Sequence, residues 1–199
     1  MYAVSMNQGI PQAVVLVFSG KRKSGKDYTT DLIMERIPNL CEIRRLSAPL
    51  KKAYAEEHGL DYERLLSADS YKEQFREDMI VWGVQKRLAD PGYFARLTCA
   101  GASKPVLIIS DARRQTDVDF FLNHPQWGHI TKSIRIVSSD ETRAKRGWVF
   151  TEGVDDVDSE TGLDDFNNWD FIIHNDDDEN IFNQDLDALL AFIDSAVGK

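Results

Sequence analysis

The sequence predicts an α/β fold: a mostly parallel five-stranded sheet with helices on both faces. Apolar, β-rich runs recur at Val14 to Ser19, Glu42 to Leu46, Val106 to Ser110, Ser133 to Ser138 and Phe171 to His174. Segments with helical spacing separate them, and this alternation builds parallel sheets whose strands are buried on both sides. The first run also leads straight into a Gly-rich turn and then into helix-compatible residues. At 199 residues with 42% hydrophobic content, the chain has the size of one domain. A single domain spanning 1–199 is the expectation.

In order, the continuous apolar run "VVLVFS" is the first strand, and a helix at 25–36 follows it. The second strand leads into helices at 48–58, 70–89 and 93–100. The helix at 70–89 draws its core stripe from Phe75, Met79 and Trp82. After the third strand comes the fourth, a short helix at 140–147, the fifth strand and a helix at 180–197. That last helix places Leu186, Leu189, Leu190, Ile193 and Val197 at i, i+3, i+4, i+7 spacing beneath an acidic outer face. Two stretches carry no such pattern. Glu152 to Phe166, "EGVDDVDSETGLDDF", has the length of a functional flap or a loose loop, and Asn175 to Asn180, "NDDDEN", reads as a solvated charge run.

Net charge is −9, yet it is divided unevenly. Residues 152–199 hold 15 of the 33 acidic groups and one of the 24 basic ones, which leaves the first 151 residues at +5, from 23 basic against 18 acidic. A basic N-terminal three quarters within an acidic whole favours a small polyanionic ligand and disfavours nucleic acid as the main partner. The longest apolar runs fall far short of the roughly 20 residues that cross a bilayer, so a soluble, non-secreted protein without membrane partners is expected. Cys41 and Cys99 show no metal-binding spacing and suit a reducing compartment as buried small residues. The tripeptide Val197-Gly198-Lys199 is not a peroxisomal signal, so the expectation is the cytosol, and a monomer.

Gly20, Gly25 and Lys26 form G-x-x-x-x-G-K between the first strand and a helix. Glycines let the backbone turn its N–H groups inward, the helix N-terminus adds positive potential, and Lys26 reaches the β- and γ-phosphates. Ser24 lies inside this loop, residues 20–27. Lys21, Arg22 and Lys23 add cations that suit a transferring phosphoryl group. Asp27 stands where such loops carry a Ser or Thr, either as an anionic Mg²⁺ ligand or as a carboxylate at a helix start.

Cations gather elsewhere too. At 100° per residue, Lys72, Arg76 and Arg87 fall within about 60° of one another on a continuous helix. They form either a basic ridge beside a cleft or surface partners of Glu73 and Glu77. "DARR" puts Asp111 at the carboxyl end of a strand, where α/β sheets bind ligands, with Arg113 and Arg114 just beyond. Asp111 either orders Mg²⁺ or caps the loop. Arg135 lies on the fourth strand, and Arg143 and Arg146 follow on a short helix that reads as a lid, about 140–150, or as a solvated face. None of His58, His124, His129 and His174 has the spacing of a metal ligand or a general base. A phosphate acceptor is already anionic and needs positioning and charge neutralisation more than a base. The residues therefore point to a kinase with an anionic acceptor.

The stretches "LVFSGKRKSGKDYTT", "LSAPLKKAYAEEHGLDYERLL", "YKEQFREDMIVWGVQKRLADPGYF", "ISDARR", "RAKRGWVFTEGVDD" and "SETGLDDFNNWDFIIHN" together resemble the animal-type phosphomevalonate kinases. The Asp-containing phosphate loop is part of that family's pattern. The resemblance implies a three-layer P-loop kinase fold of the nucleoside-monophosphate-kinase kind, with a substrate-binding helical region at about 48–100. It implies ATP and Mg²⁺, and conversion of 5-phosphomevalonate to 5-diphosphomevalonate in the mevalonate route to isoprenoids and sterols. It further implies catalytic roles for Lys21, Arg22, Lys23, Lys26, Asp27 and Arg114. ATP binding falls to Gly20 through Asp27 with Arg143 and Arg146. Acceptor binding falls to Lys51, Lys72, Arg76, Arg87, Arg96, Arg113, Arg114, Arg135 and Asn175, and metal binding to Asp27 and Asp111. The competing expectations are a nucleoside-monophosphate or dephospho-coenzyme A kinase, and a non-catalytic nucleotide-binding protein.

Overall fold

The computed structural model describes residues 12–66 and 70–198. The chain runs β1 (Val14–Ser19), α1 (Lys26–Arg36), β2 (Cys41–Arg44), α2 (Ser47–His58), α3 (Tyr62–Leu66), α4 (Ser70–Gln74), α5 (Arg76–Ala89) and α6 (Tyr93–Cys99). It continues with β3 (Val106–Ile109), α7 (Gln115–Leu122), β4 (Thr131–Val137), α8 (Asp140–Lys145), α9 (Asp158–Thr161), β5 (Phe171–His174) and α10 (Glu179–Val197). Two compact units result: one from the chain up to Arg44 together with everything from Gly101 onward, the other from Arg45 to Ala100.

The first unit is a three-layer α/β structure around a wholly parallel five-stranded sheet of order β2-β3-β1-β4-β5. All six residues of β1 are buried, as a central strand covered on both faces requires. On one face Val14, Leu16, Phe18, Ile108, Ile134, Ile136 and Ile173 form a single cluster with Ile33 of α1 and with Phe182, Leu186, Leu189 and Ile193 of α10. Alternation sends Val15, Val17, Leu107 and Ile109 to the opposite face, where α7 packs against β1 and β4 and contributes buried Val118 and Phe121. Chain order turns about β1: the chain reaches β3 on one side of it and β4 on the other. The carboxyl ends of these three adjacent strands form the crevice where such sheets bind ligands.

The second unit is helical, closed over Tyr54, Ala55, Leu65, Met79, Trp82 and Phe94. Trp82 stands edge-on to Tyr54, with ring centroids 5.5 Å apart, and its Nε1 donates to Glu57 at 3.0 Å. Burying an indole is tolerable here because its N–H keeps a partner.

Several expected boundaries move. The expected strand at 42–46 lies at Cys41–Arg44, because Leu46 has already adopted helical backbone as the residue before α2. The fourth strand runs from Thr131 to Val137. The single expected helix at 70–89 is two, broken at Phe75, whose φ of −109° and ψ of 4° leave the helical region. An angular count carried across that break loses its meaning. Helices α3 and α7 were not expected: α3 has five residues, and α7 buries only Asp117, Val118 and Phe121, too short a stripe to show periodicity. Asp117 caps α7 from within, its carboxylate accepting the backbone N–H groups of Arg113 and Arg114 at 3.1 Å each. Both cysteines are buried, and burial first, with Glu42 second, pushes the Cys41 thiol up to about 12.

At the amino ends of β4 and β5, Asp170 accepts from Lys132 Nζ at 2.7 Å, the Ser133 amide at 2.8 Å and the Ser133 hydroxyl at 3.0 Å. Burial alone raises this carboxyl, but these hydrogen bonds and the Lys132 charge outweigh it, and the net direction is down. A depressed folded-state value means stabilisation that is complete above the unfolded carboxyl value, about 3.9, and is lost as pH falls through the folded value. Asp170→Asn is expected to lower unfolding free energy by about 1–2 kcal/mol at pH 7. Denaturant titrations across pH check this, with the gap between variant and parent closing below about pH 4.

Candidate active site

Gly20 to Gly25 carry the chain from β1 into α1. A side chain at Gly20 would lie 2.6 Å from Ser24 Oγ and 3.1 Å from the Ile136 carbonyl, so the turn closes against β4 only without a Cβ. Gly25 has φ of +88° and a Cβ there would lie 1.9 Å from Asn175 Nδ2. Among described residues, Lys23 alone combines a side chain with positive φ, 63°, a strained backbone of the kind found where function demands a particular loop shape.

A loop that turns its N–H groups toward an anion sends carbonyls outward, and buried carbonyls need donors. The Ser24 carbonyl receives Asn175 Nδ2 at 2.9 Å, Ser138 Oγ at 3.0 Å and Arg146 Nη1 at 3.3 Å. Arg146 also donates to the Asn175 carbonyl at 2.8 Å and side-chain oxygen at 3.3 Å, and Arg143 Nε reaches the Arg22 carbonyl at 2.9 Å. Arg143 is 5% exposed, with its guanidinium 3.9 Å from the Trp148 ring centroid. The arginines expected on a lid or a solvated face thus hold the outer side of the phosphate loop. Asn175, 7% exposed, has its amide committed to that loop. The rest of "NDDDEN", Asp176 to Asn180, is exposed, as expected of a solvated charge run, but it also makes specific bonds. Asp176 accepts from the Ser139 amide and hydroxyl at 2.8 Å each, and Asp178 caps α10 through the amides of Asn180 and Ile181.

On the inner side, cations from the carboxyl ends of three adjacent strands meet one acidic stretch. Lys21 Nζ lies 2.7 Å from Asp164, and Arg22 lies 2.9 Å from Asp155. Arg114 Nε lies 3.0 Å from Asp158, and Arg113 pairs with Glu160. Arg135, in register with Ser19, donates to Ser19 Oγ at 2.9 Å and to Asp164 at 3.2 Å. Burial holds both Arg113 and Arg135 below the ordinary guanidinium value, while neighbouring carboxylates pull the other way. A guanidinium keeps its charge regardless. Asp155 feels burial first, yet hydrogen bonds from Trp148 Nε1 and the Thr151 amide, with Arg22 and Arg143 nearby, bring it below the carboxylate range.

Lys26 opens α1, and its Nζ lies 2.8 Å from Asp27 in the first turn. Asp111 is 9% exposed just beyond β3. The charges of Asp111 and Asp27 both act on the Arg113 guanidinium.

Within the helical unit, Arg76 pairs with Glu73 at 3.3 Å, the surface arrangement rather than a ridge. Arg87 lies 4.6 Å from the Phe94 ring centroid and donates to the Gly83 carbonyl at 3.4 Å. Arg96 pairs with Asp90, and Lys51 is half-buried on α2. The side chain of Lys72, like Lys199, lies outside the described residues.

The family model of phosphomevalonate kinase matches residues 18–126. A phosphomevalonate kinase of Drosophila melanogaster is 38% identical over 181 residues, covering 88% of this chain and 94% of that one. The chain belongs to the phosphomevalonate kinase family. Among solved structures, TT1252 from Thermus thermophilus aligns with a TM-score of 0.50 at 15% identity, covering 90% of this chain and 97% of that chain. A gluconokinase from Sinorhizobium meliloti 1021 aligns with a TM-score of 0.49 at 14% identity, covering 93% and 95%. The three-layer α/β fold with a parallel five-stranded sheet expected from the sequence is the fold observed.

In this phosphomevalonate kinase family member, Ser138, Trp148, Asp155, Asp164 and Asp176 are neighbours of the site that sequence reasoning missed. Ser138 and Asp176 offer no local signal, since each acts on a backbone group far along the chain. Asp155 and Asp164 stood inside a long acidic stretch whose opposition to a basic N-terminal part was the one available clue. Gly25→Ala is expected to destabilise the protein by about 2 kcal/mol or more, from left-handed strain plus displacement of Asn175. Thermal unfolding and titration with nucleotide check it, and ATP affinity is expected to drop with stability.

Proposed function

We propose that the chain transfers the γ-phosphoryl group of ATP to the phosphate of 5-phosphomevalonate, giving 5-diphosphomevalonate and ADP in the mevalonate route to isoprenoids and sterols. Beside family membership, one observation carries this reading. Lys21, Arg22, Arg113, Arg114 and Arg135 all lie within ion-pair reach of one ten-residue stretch, 155–164. A pocket that gathers this much positive charge suits two polyanions brought together for transfer between them.

The inward N–H groups of residues 20–25 and the start of α1 hold the β- and γ-phosphates. Lys26 turns from Asp27 onto the β- and γ-oxygens. Lys21, Arg22 and Lys23 balance charge on the equatorial oxygens of the transferring group. Arg143 and Arg146 serve ATP from the α8 side while keeping the loop carbonyls satisfied. Arg113, Arg114 and Arg135 orient the acceptor phosphate, while Asn175, expected among the acceptor ligands, has its amide committed to Ser24 and Arg146 and serves the site through the loop. Lys51, Lys72, Arg76, Arg87 and Arg96 on the helical unit are proposed as acceptor ligands on the likeness of their motifs to the family alone. An oxygen of the acceptor phosphate, already deprotonated, forms the new P–O bond as the β–γ bridging bond breaks and ADP departs.

Asp27 and Asp111 are proposed to hold Mg²⁺. Among the described residues no group of three or more His, Cys, Asp or Glu side chains forms a ready metal cage. Mg²⁺ commonly takes one or two carboxylates and completes its shell with phosphate oxygens and water, so two carboxylates whose charges both reach Arg113 suit it in number and hardness. When bound, it neutralises charge on the bridging phosphates. No described helix is long and apolar enough to cross a membrane. A single kinase domain spanning the chain, acting as a cytosolic monomer on small molecules alone, completes the proposal.

ADP release with Mg-ATP and a panel of acceptors tests this directly, with 5-phosphomevalonate expected to exceed nucleoside monophosphates and dephospho-coenzyme A; preference for a nucleotide would reverse the assignment. Lys26→Ala is expected to lower kcat by about a hundredfold or more with the fold intact, the scale of losing one transition-state donor. Asp27→Asn is expected to raise the Mg²⁺ concentration needed for half-maximal rate while acceptor KM stays near the parent's. Unchanged Mg²⁺ dependence would make Asp27 a helix-start carboxylate only.

A further inference from the structure

The stretch from Asp155 to Asp164 contributes Asp155 to Arg22, Asp158 to Arg114, Glu160 to Arg113, and Asp164 to both Lys21 and Arg135. Those five cations are the ones assigned above to ATP and acceptor phosphates. Carboxylate and phosphate oxygens compete for the same guanidinium and ammonium donors. An N–H bonded to a carboxylate reaches a phosphate oxygen only when that pair opens, and a phosphate that takes two donors of one guanidinium draws on the same N–H groups. Without an anion, a cation cluster at the end of a parallel sheet repels itself, and its partly desolvated members bear the greatest cost. We propose that residues 155–164 serve as an internal anion, occupying the phosphate subsites between turnovers and giving them up when substrate phosphates arrive. This rests on the phosphoryl-transfer reading of the site.

The way the stretch is held suits exchange. Of the side chains described between Glu152 and Phe166, Leu163 is the buried hydrophobic one, and α9 inside the stretch has only four residues. Ion pairs, more than apolar packing, fix it in place, and segments held this way open at low free-energy cost. Asp155 is the firmest point, tied to Trp148 Nε1 at 3.1 Å and to the Thr151 amide at 2.9 Å as well as to Arg22. The carboxylates of Glu160 and Asp164 form the exchangeable part. Their presence means a ligand meets a site whose competent state is only fractionally populated, which weakens apparent affinity by that fraction.

Hydrogen exchange on the full chain tests this, comparing the free protein with its complex with 5-phosphomevalonate, Mg²⁺ and a non-hydrolysable ATP analogue. Amides of 156–164 are expected to exchange faster in the complex. Slower exchange would make the stretch a lid that closes over ligand, and unchanged exchange a fixed wall; either overturns the proposal. Calorimetric titration with 5-phosphomevalonate supplies a second readout. Asp164→Asn is expected to lower Kd by about three- to fivefold, the scale of losing one or two partly exposed pairs, and Glu160→Gln, at a carboxylate only 8% exposed, is expected to lower it as well. Unchanged or weaker binding in both overturns it. Arg135→Ala separates the two failures. If it binds like the parent, the phosphate-site reading itself falls. If it weakens binding while Asp164→Asn tightens nothing, only the internal anion falls. Should Asp164→Asn not fold, exchange in the parent decides.

Discussion

The carbonyl of Ser24 is the point on which the site's geometry turns. An anion-binding loop must aim N–H groups inward, so its carbonyls face protein, and a buried carbonyl without donors costs on the order of 1–3 kcal/mol. Three donors answer it, from Ser138 after β4, Arg146 after α8 and Asn175 after β5. Each sits near the carboxyl end of a strand or just past the helix that follows, so assembling the sheet delivers all three at once. Gly25 is obligatory for the same reason, since Asn175 occupies the volume a side chain would need.

The second constraint is charge. Parallel strands all point their carboxyl ends to one side, so cations placed after β1, β3 and on β4 accumulate there instead of spreading over the surface. Accumulated positive charge attracts polyanionic ligands and also requires compensation when they are absent. The acidic stretch 155–164 supplies it from the same polypeptide. The uneven charge distribution along the chain is therefore a contact map in outline, with acids beyond residue 152 meeting bases ahead of residue 136.

Legibility followed the range of the interactions. The strands were readable as short continuous apolar runs, since burial on both faces leaves no polar side, and the longer helices because burial on one face imposes a period within ten or so residues, as in Leu186, Leu189 and Ile193. Short α3, α7 and α9 were not, because one or two turns contain too few positions to show a period. The break at Phe75 escaped notice since neither Gly nor Pro marks it. It separates Lys72 from Arg76 and Arg87, which stay on the one helix α5 and take Glu73 and Phe94 as neighbours.

By itself the sequence determined the α/β class, the Gly-rich turn between the first strand and the first helix and, through its longer motifs, the likeness to the phosphomevalonate kinases. All of these depend on residues close together in the chain or on composition. Tertiary structure alone decided what the cations and their partners do. Arg143 and Arg146 turned out to support loop carbonyls, Asn175 to sit behind Gly25, and Asp164 to bridge Lys21 and Arg135 from more than a hundred and from about thirty residues away. A side chain's partner at such separation is set by how strands order themselves in the sheet, and nothing local in the chain encodes that order.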